Sequence, residues 1–233
     1  MSEPAREWVT DEADFMQRCV PLAGARVVEL GCGKAELACR LLEGGRVASV
    51  LAFEVDRAQH AANLAAPHPG GLTFMLGGAE DIALPDASCD GVMMLKSLHH
   101  VPIHLLDQAL AEIARVLAPG GWLYVSEPVY AGDFNDIVKL FHDEGVVRAA
   151  AYAALQRAAR RGVLDWQAEH VFDTPLHFRD FDDFVARIVR VTHSDIELPP
   201  GVQGQVRCGF DRFMSASGAR FVRQMRVNVM GRR

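Results

Sequence analysis

The chain has 233 residues, half of them hydrophobic, a formal net charge of −6 and five cysteines. That length and apolar share suit one elaborated domain with a sizeable core, and the acidic balance argues against a partner held through phosphates, so no nucleic acid is expected. Cys19, Cys32, Cys39, Cys89 and Cys208 form no C-x-x-C pair or zinc-type spacing, the opening MSEPAREW lacks a signal-peptide plan, and no apolar run approaches the ~20 residues of a membrane span, so a cytoplasmic protein with no membrane partner is expected.

In chain order, Thr10 is placed to cap a helix running to about Val20, with Asp11 and Glu12 at its positive end. This helix, 10–20, either belongs to a lid or packs on the sheet through Phe15, Cys19 and Val20. Val27 to Leu30 reads as a strand, Gly31-Cys32-Gly33 as a tight turn, and 34–43 as a helix stopped by Gly44-Gly45. A buried strand runs from Val47 to Glu54, a short helix over 57–66 and a strand over 72–76. This alternation predicts a parallel sheet with right-handed crossovers and helices on both faces. A further strand covers 91–95. Leu106, Leu110, Ile113 and Leu117 share one face of the next helix, which Pro119-Gly120-Gly121 ends before a strand over 122–126.

Beyond Pro128 the pattern changes. Phe134, Ile137, Val138 and Phe141 fall on one helical face, and an alanine-rich helix is expected over 146–161. A third helix is expected over 181–191 and a fourth through Val202, Val206, Phe210 and Phe213. The end of the chain alternates Met225, Val227 and Val229 with polar residues, a closing strand over 220–230, expected to join antiparallel. No sixth parallel strand is evident. The organisation expected is thus one domain, 1–233, with a core at 26–128, a helical region at 129–215 and the closing strand.

The chemistry concentrates at the turn. Glycines at its tip let a ligand approach the backbone, and the helix behind offers unpaired N–H groups. A dinucleotide fingerprint needs a third glycine where Glu36 stands, and Glu29 lies just upstream, so carboxylates flank a turn that would otherwise suit a pyrophosphate. They suit a ligand carrying sulfonium and ammonium charges. Glu54, about 20 residues beyond the turn, ends the second strand of the unit, where an acid accepts hydrogen bonds from both ribose hydroxyls. Adenosine without phosphates fits both features.

Through VVELGCGKAEL, GGAEDIALPDASCDGVMML, the doublet of SLHHV and EIARVLAPGGWLYVSEP, covering about Val27 to Pro128, the chain resembles the class I S-adenosylmethionine-dependent methyltransferases. The likeness is to the small-molecule branch that includes quinone-biosynthesis and natural-product enzymes. It departs at Lys34 and Ala35 in the turn and at Gly78, where many relatives carry an acid. The resemblance implies a Rossmann-like α/β fold with a helical cap over the acceptor pocket and S-adenosylmethionine as cofactor. Glu29, Gly31, Cys32 and Gly33 would hold the methionine end, Glu54 the ribose, Ala79 and Glu80 the adenine edge, and the backbone at Leu95 and Lys96 the floor. A small-molecule acceptor follows, and a homodimer is open.

A base is needed only if the acceptor must lose a proton. His99 or His100, with Glu127 at the end of the neighbouring strand, could supply a histidine oriented by a carboxylate. Equally, one of them could cap a helix or pack beneath the cofactor. His104, His142, His170 and His177 are too scattered for a metal site, and none is expected. Arg157, Arg160 and Arg161 could meet an anionic acceptor, or simply close their helix before Gly162. Cys32 reads as a small filler in the turn. The alternatives are a cofactor-binding protein without turnover and, disfavoured by Glu36, a nucleotide-dependent oxidoreductase.

Overall fold

The structure is a computed structural model, and it describes residues 6–189 and 198–233. The chain divides into two compact units. The larger comprises residues 11–127, 147–170 and 226–233, and the smaller 128–146, 171–225 and the first ten residues as far as they are described.

The larger unit contains the alternating pattern. Its strands are β2 (Arg26–Leu30), β3 (Ser49–Glu54), β4 (Leu72–Leu76), β5 (Cys89–Leu95) and β6 (Leu117–Pro128), joined by β7 (Asp165–Phe178) and β9 (Gly218–Gly231) through their residues 165–170 and 226–231. The order is β7-β9-β6-β5-β2-β3-β4. Strands β3, β2, β5 and β6 pair in parallel, as do β3 and β4. Val27, Val28 and Leu30 are all buried, the run of a strand covered on both faces. The chain winds outward from β2 in both directions, so the switch in strand order falls at β2, and the crevice beyond its carboxyl end is where open sheets take ligands.

Helices α1 (Glu12–Cys19), α2 (Glu36–Glu43), α3 (Arg57–Ala65), α4 (Leu106–Val116) and α6 (Gly145–Arg160, from residue 147) complete this unit. The cap of α1 is Asp11, whose carboxylate accepts from Ala13 N at 2.8 Å, rather than Thr10. The helix buries Ala13, Phe15 and Met16; its cap Asp11 pairs with Arg40 of α2 at 2.9 Å, and its Asp14 pairs with Arg46, just beyond α2, at 2.6 Å. Along α4, Leu106, Ala109, Leu110, Ile113 and Val116 form the apolar stripe. Leu117 instead starts β6, because Pro119-Gly120-Gly121 is a kink within that strand. The pairing of β5 with β6 shifts register there, and Gly120 N and Gly121 O bond Arg232 at 2.9 Å. The alanine-rich helix α6 buries Ala151, Ala154, Leu155 and Ala158 in the same core cluster as β2, β5 and α4, so these residues pack with the core.

The smaller unit has a separate core in which Phe134, Phe178, Phe181, Phe184, Phe210 and Phe221 pack together with Ile137, Val189, Val206 and Ala219. It is built from β1 (Glu7–Trp8), α5 (Asp133–Val138), α7 (Phe181–Phe184), α8 (Pro200–Asp211), β8 (Met214–Ser215) and the remaining parts of β7 and β9. β1 runs parallel to β7, and β8 antiparallel to β9. Two elements differ from expectation. The helix expected over 181–191 is one short helix followed by a π-helical turn, Val185–Val189, and its last two positions lie outside the described residues. The stretch 165–178, which carries no strand signal of its own, is a long strand.

Candidate active site

All the sequence-derived site residues lie in the larger unit, at or beyond the carboxyl ends of β2, β3, β4, β5 and β6. The glycine turn follows β2. Cys32 N donates to Phe53 O at 2.9 Å and Ala35 N to Cys32 O at 2.8 Å, closing the turn onto β3. Gly31 and Gly33 have φ of 68° and 54°, which an L side chain adopts only at a cost. The two glycines serve different ends. A Cβ on Gly31 would lie 2.6 Å from Ser97 Cβ, whereas one on Gly33 would meet nothing within 4 Å. Gly31 therefore makes room for the protein itself, and Gly33 leaves open space beside the turn. Replacing Gly31 with alanine is expected to cost roughly 2–5 kcal/mol from strain and overpacking together, and Gly33→Ala about 1–2 kcal/mol. Paired thermal unfolding of the two variants measures the difference; equal losses would contradict it.

Two further side chains hold this turn: Asn63, which the sequence does not point to, and Ser97, which falls with Lys96 at the rim that the strand pattern predicts. Asn63 of α3 is buried and donates to Gly33 O at 2.7 Å, and its own amide oxygen accepts from Gln59 at 2.7 Å. Ser97 Oγ donates to Leu30 O at 2.7 Å. No signal in the sequence marks the first, since Gln59 and Asn63 read as ordinary polar residues of a helix that also carries Arg57 and His60.

The carboxylates sit as the spacing implied. Glu54 accepts from Gly33 N at 2.8 Å through one oxygen and from Asp56 N at 2.9 Å through the other, joining the end of β3 to the turn. Glu29 is only 3 % exposed, and one of its oxygens is buried without a hydrogen-bond partner. Burial pushes its carboxyl up to about 8; the positive charge of Lys96 opposes that rise and the negative charge of Glu54 adds to it. Cys32 is held as a thiol, its pKa raised by burial and then by Glu29 and Glu54, which leaves no nucleophile in the turn. Lys34 is exposed to solvent.

Beyond β5, Leu95 is half-buried and Lys96 takes a left-handed φ of 57° with its N–H on Ser126 O at 2.7 Å. Leu98 to His100 form a single 3-10 turn. His99 and His100 diverge here. His99 is 4 % exposed and hydrogen-bonded through Nδ1 to Glu127 Oε2, while His100 is exposed, its ring 4.1 Å from that of His99. The second oxygen of Glu127 accepts from Leu98 N at 2.9 Å, so the acid is fixed from both sides. Of the doublet, His99 is the one bonded to Glu127. Ala79 is buried in the core cluster, and Glu80 follows it in the loop after β4. The basic residues of α6 have a partner in the chain, since Arg157 and Arg161 both pair with Asp107 of α4 at 2.8 and 2.9 Å.

The donor set fits an adenosyl sulfonium cofactor by observation of the site itself: an unpartnered buried carboxylate oxygen on Glu29, open space beside Gly33, and Glu54 at the turn. Residues 28–125 match the family described as a methyltransferase domain. Over 133 residues the chain is 35 % identical to the 27-O-demethylrifamycin SV methyltransferase of Amycolatopsis mediterranei, covering 54 % of this chain and 47 % of that one. It is 34 % identical over 147 residues to the fatty-acid O-methyltransferase of Mycolicibacterium smegmatis, covering 60 % and 47 %. The matches thus span about half the length of these relatives. Among solved structures, the YcgJ protein of Bacillus subtilis superposes with a TM-score of 0.64 at 17 % identity, over 95 % of this chain and 97 % of that one. The [4+2]-cyclase SpnF does so at 0.62 and 18 %, over 98 % and 86 %. Such likenesses speak for the fold alone, which hosts more than one chemistry. Among the described residues no helix is long and apolar enough to cross a membrane. The chain thus has a mostly parallel α/β sheet of the Rossmann-like class I type, and its segment 28–125 is similar to the methyltransferase-domain family.

Proposed function

We propose that the protein is an S-adenosylmethionine-dependent methyltransferase that methylates a hydroxyl on a small, largely apolar molecule. The observation that carries the hydroxyl is the buried His99–Glu127 pair at the end of β5 and β6. Two relatives, a 27-O-demethylrifamycin SV methyltransferase and a fatty-acid O-methyltransferase, support an oxygen acceptor on a largely apolar small molecule. Five cysteines that form no disulfide suit a reducing cytoplasm.

When bound, the cofactor supplies a methyl group on a sulfonium, so that much of the rate can come from alignment of the acceptor. The residues of this chain divide the rest of the work. Glu29 and the amides of the turn would hold the methionine end and Glu54 the ribose hydroxyls. Ala79 and Glu80 would line the adenine edge, and the backbone at Leu95 and Lys96 the floor. Glu127 accepts a hydrogen bond from Nδ1–H of His99, so that Nε2 can take the acceptor's hydroxyl proton as its oxygen becomes an ether. Glu127 then stabilises the imidazolium that results.

Calorimetric titration with S-adenosylmethionine and S-adenosylhomocysteine tests the reading. Micromolar binding is expected, weakened at least about tenfold in Glu54→Ala, where two charge-assisted hydrogen bonds are lost. Absence of binding to both ligands by the native chain would overturn the assignment, and binding without methyl transfer to any hydroxylated acceptor would turn it towards a binding protein.

A further inference from the structure

Each oxygen of Glu127 already has a donor, Leu98 N for one and His99 for the other. An arginine nevertheless stands beside it. Strand β9 neighbours β6 in the sheet, and Val129 N donates to Gln224 O and Arg232 N to Gly121 O, each at 2.9 Å. The two bonds agree on one antiparallel register, in which Arg226 is directly opposite Glu127. Leu123, Val125 and Met230 share the core cluster with α6, so alternation along the two strands sends Glu127 and Arg226 to that face as well. Arg226 does not turn to the acid. Its guanidinium carbon lies 3.7 Å from the ring centre of Tyr152 in α6. That ring is braced: its hydroxyl donates to Glu169 Oε2 at 2.9 Å, Asn228 donates to the same oxygen at 2.8 Å, and Trp166 meets it edge-on at 6.2 Å between centroids. Arg226 is partly buried and its Nε–H fully so, and among the described residues the guanidinium makes no hydrogen bond or ion pair. All these residues but Val129 and Gln224 belong to the larger unit.

A guanidinium stays charged and presents a flat fork of N–H donors. Stacking on Tyr152 sets the plane of that fork and uses none of its donors, and a buried donor left unmade is costly. The arginines of α6 that the sequence offers for an anion, Arg157 and Arg161, are by contrast both paired with Asp107. A single flat cation with Glu127 and Glu169 nearby suits a flat anion of one charge, which a carboxylate matches through two parallel hydrogen bonds and a phosphate dianion does not. We infer that Arg226 is a specificity-determining residue that receives a carboxylate of the methyl acceptor, while His99 takes the proton of a hydroxyl elsewhere on the same molecule. The inference rests on the methyltransferase reading above and narrows its acceptor to a hydroxylated carboxylic acid.

The test titrates the chain loaded with S-adenosylhomocysteine with 3-hydroxydecanoate and 4-hydroxybenzoate, each beside its neutral carboxamide. The native chain is expected to bind at least one acid about 10- to 100-fold tighter than its amide, the worth of hydrogen bonds to a charged group. Arg226→Gln should lose that preference while binding the amide and S-adenosylhomocysteine as the native chain does, a control for folding. Arg226→Lys should keep part of it. In turnover with S-adenosylmethionine, Arg226→Gln should raise KM for the acid by the same factor and leave kcat within about threefold, whereas a residue that only supported Glu127 would lower kcat for acid and amide alike. A preference that survives in Arg226→Gln, a fall confined to kcat, or no acid bound better than its amide by the native chain overturns the inference and leaves the methyltransferase reading intact. Failure of the native chain to bind S-adenosylhomocysteine removes both.

Discussion

Replacing His99 with alanine is expected to lower the turnover number about 10²- to 10⁴-fold, the usual contribution of a positioned general base, with the affinity for S-adenosylhomocysteine changed less than about threefold. The reasoning runs from geometry. Glu127 takes one hydrogen bond from Leu98 N and one from His99 Nδ1, which favours a proton on Nδ1 and leaves Nε2 as the basic atom. His100, which is exposed, should tolerate substitution with a much smaller loss. Glu127→Gln is the companion variant: it keeps the shape of the pair but cannot favour the imidazolium, so it should fall between native and His99→Ala. Single-turnover transfer of a labelled methyl group to a hydroxylated acceptor, with separate titration of the cofactor product, separates chemistry from binding. A turnover number within twofold of native in His99→Ala would reduce the pair to a packing element and leave proton loss to solvent.

Ligand-free protein is expected to lose stability as the pH rises from about 5 to 8, through Glu29. Its carboxyl titrates near 8 in the folded chain against an ordinary value of 4.5, because burial outweighs the help of Lys96. Between those values the unfolded chain has released the proton and the folded chain has kept it, so unfolding becomes easier by up to about 1.4 kcal/mol per pH unit. The same linkage acts on the cofactor with the opposite sign. A cationic ammonium favours the ionised carboxylate, so binding at pH 7 should release close to one proton, and affinity should rise with pH up to tenfold per unit before levelling above about 8. Thermal unfolding across this range, and binding enthalpies compared in buffers of different ionisation heat, read the two effects. Glu29→Gln should flatten the first and abolish the second. A native chain whose stability does not fall with pH, or a variant that still releases the proton, would contradict the assignment.

Much of this site was legible because its parts are local. The strand-turn-helix around Gly31-Cys32-Gly33, the acid at the end of the next strand and the doublet after Ser97 each fit within a few residues, and the alternation of elements sets them at one rim of the sheet. What was missed depends on contacts between distant segments. Asn63 and Gln59 look like ordinary helical residues until α3 is laid against the turn. The strand 165–178 alternates poorly, holds Pro175 and exposes much of its length, so neither apolar periodicity nor composition marks it. The alanines of α6 are too small to announce whether they face solvent or a core, and only their packing with the larger unit decides. Pro119-Gly120-Gly121 was read as a stop because such triplets usually are one; partners from Arg232 turn it into a kink within β6.

The helix α4 has an evolutionary consequence. Its apolar stripe supports the sheet, Gln108, Glu112 and Arg115 fasten the loop that bears Glu80, and Asp107 anchors two arginines of α6. Of its eleven residues only Ala111 and Ala114 lack one of these duties, and Ala114 is partly packed against the core. Sequence drift in this helix therefore has one open outlet, at exposed Ala111, which is also the position where a fluorophore or tether would disturb the molecule least. Elsewhere along it, selection for a sturdier core and selection for a different fastening of that loop act on neighbouring rungs of the same ladder, so neither trait is free to change without drawing on the other.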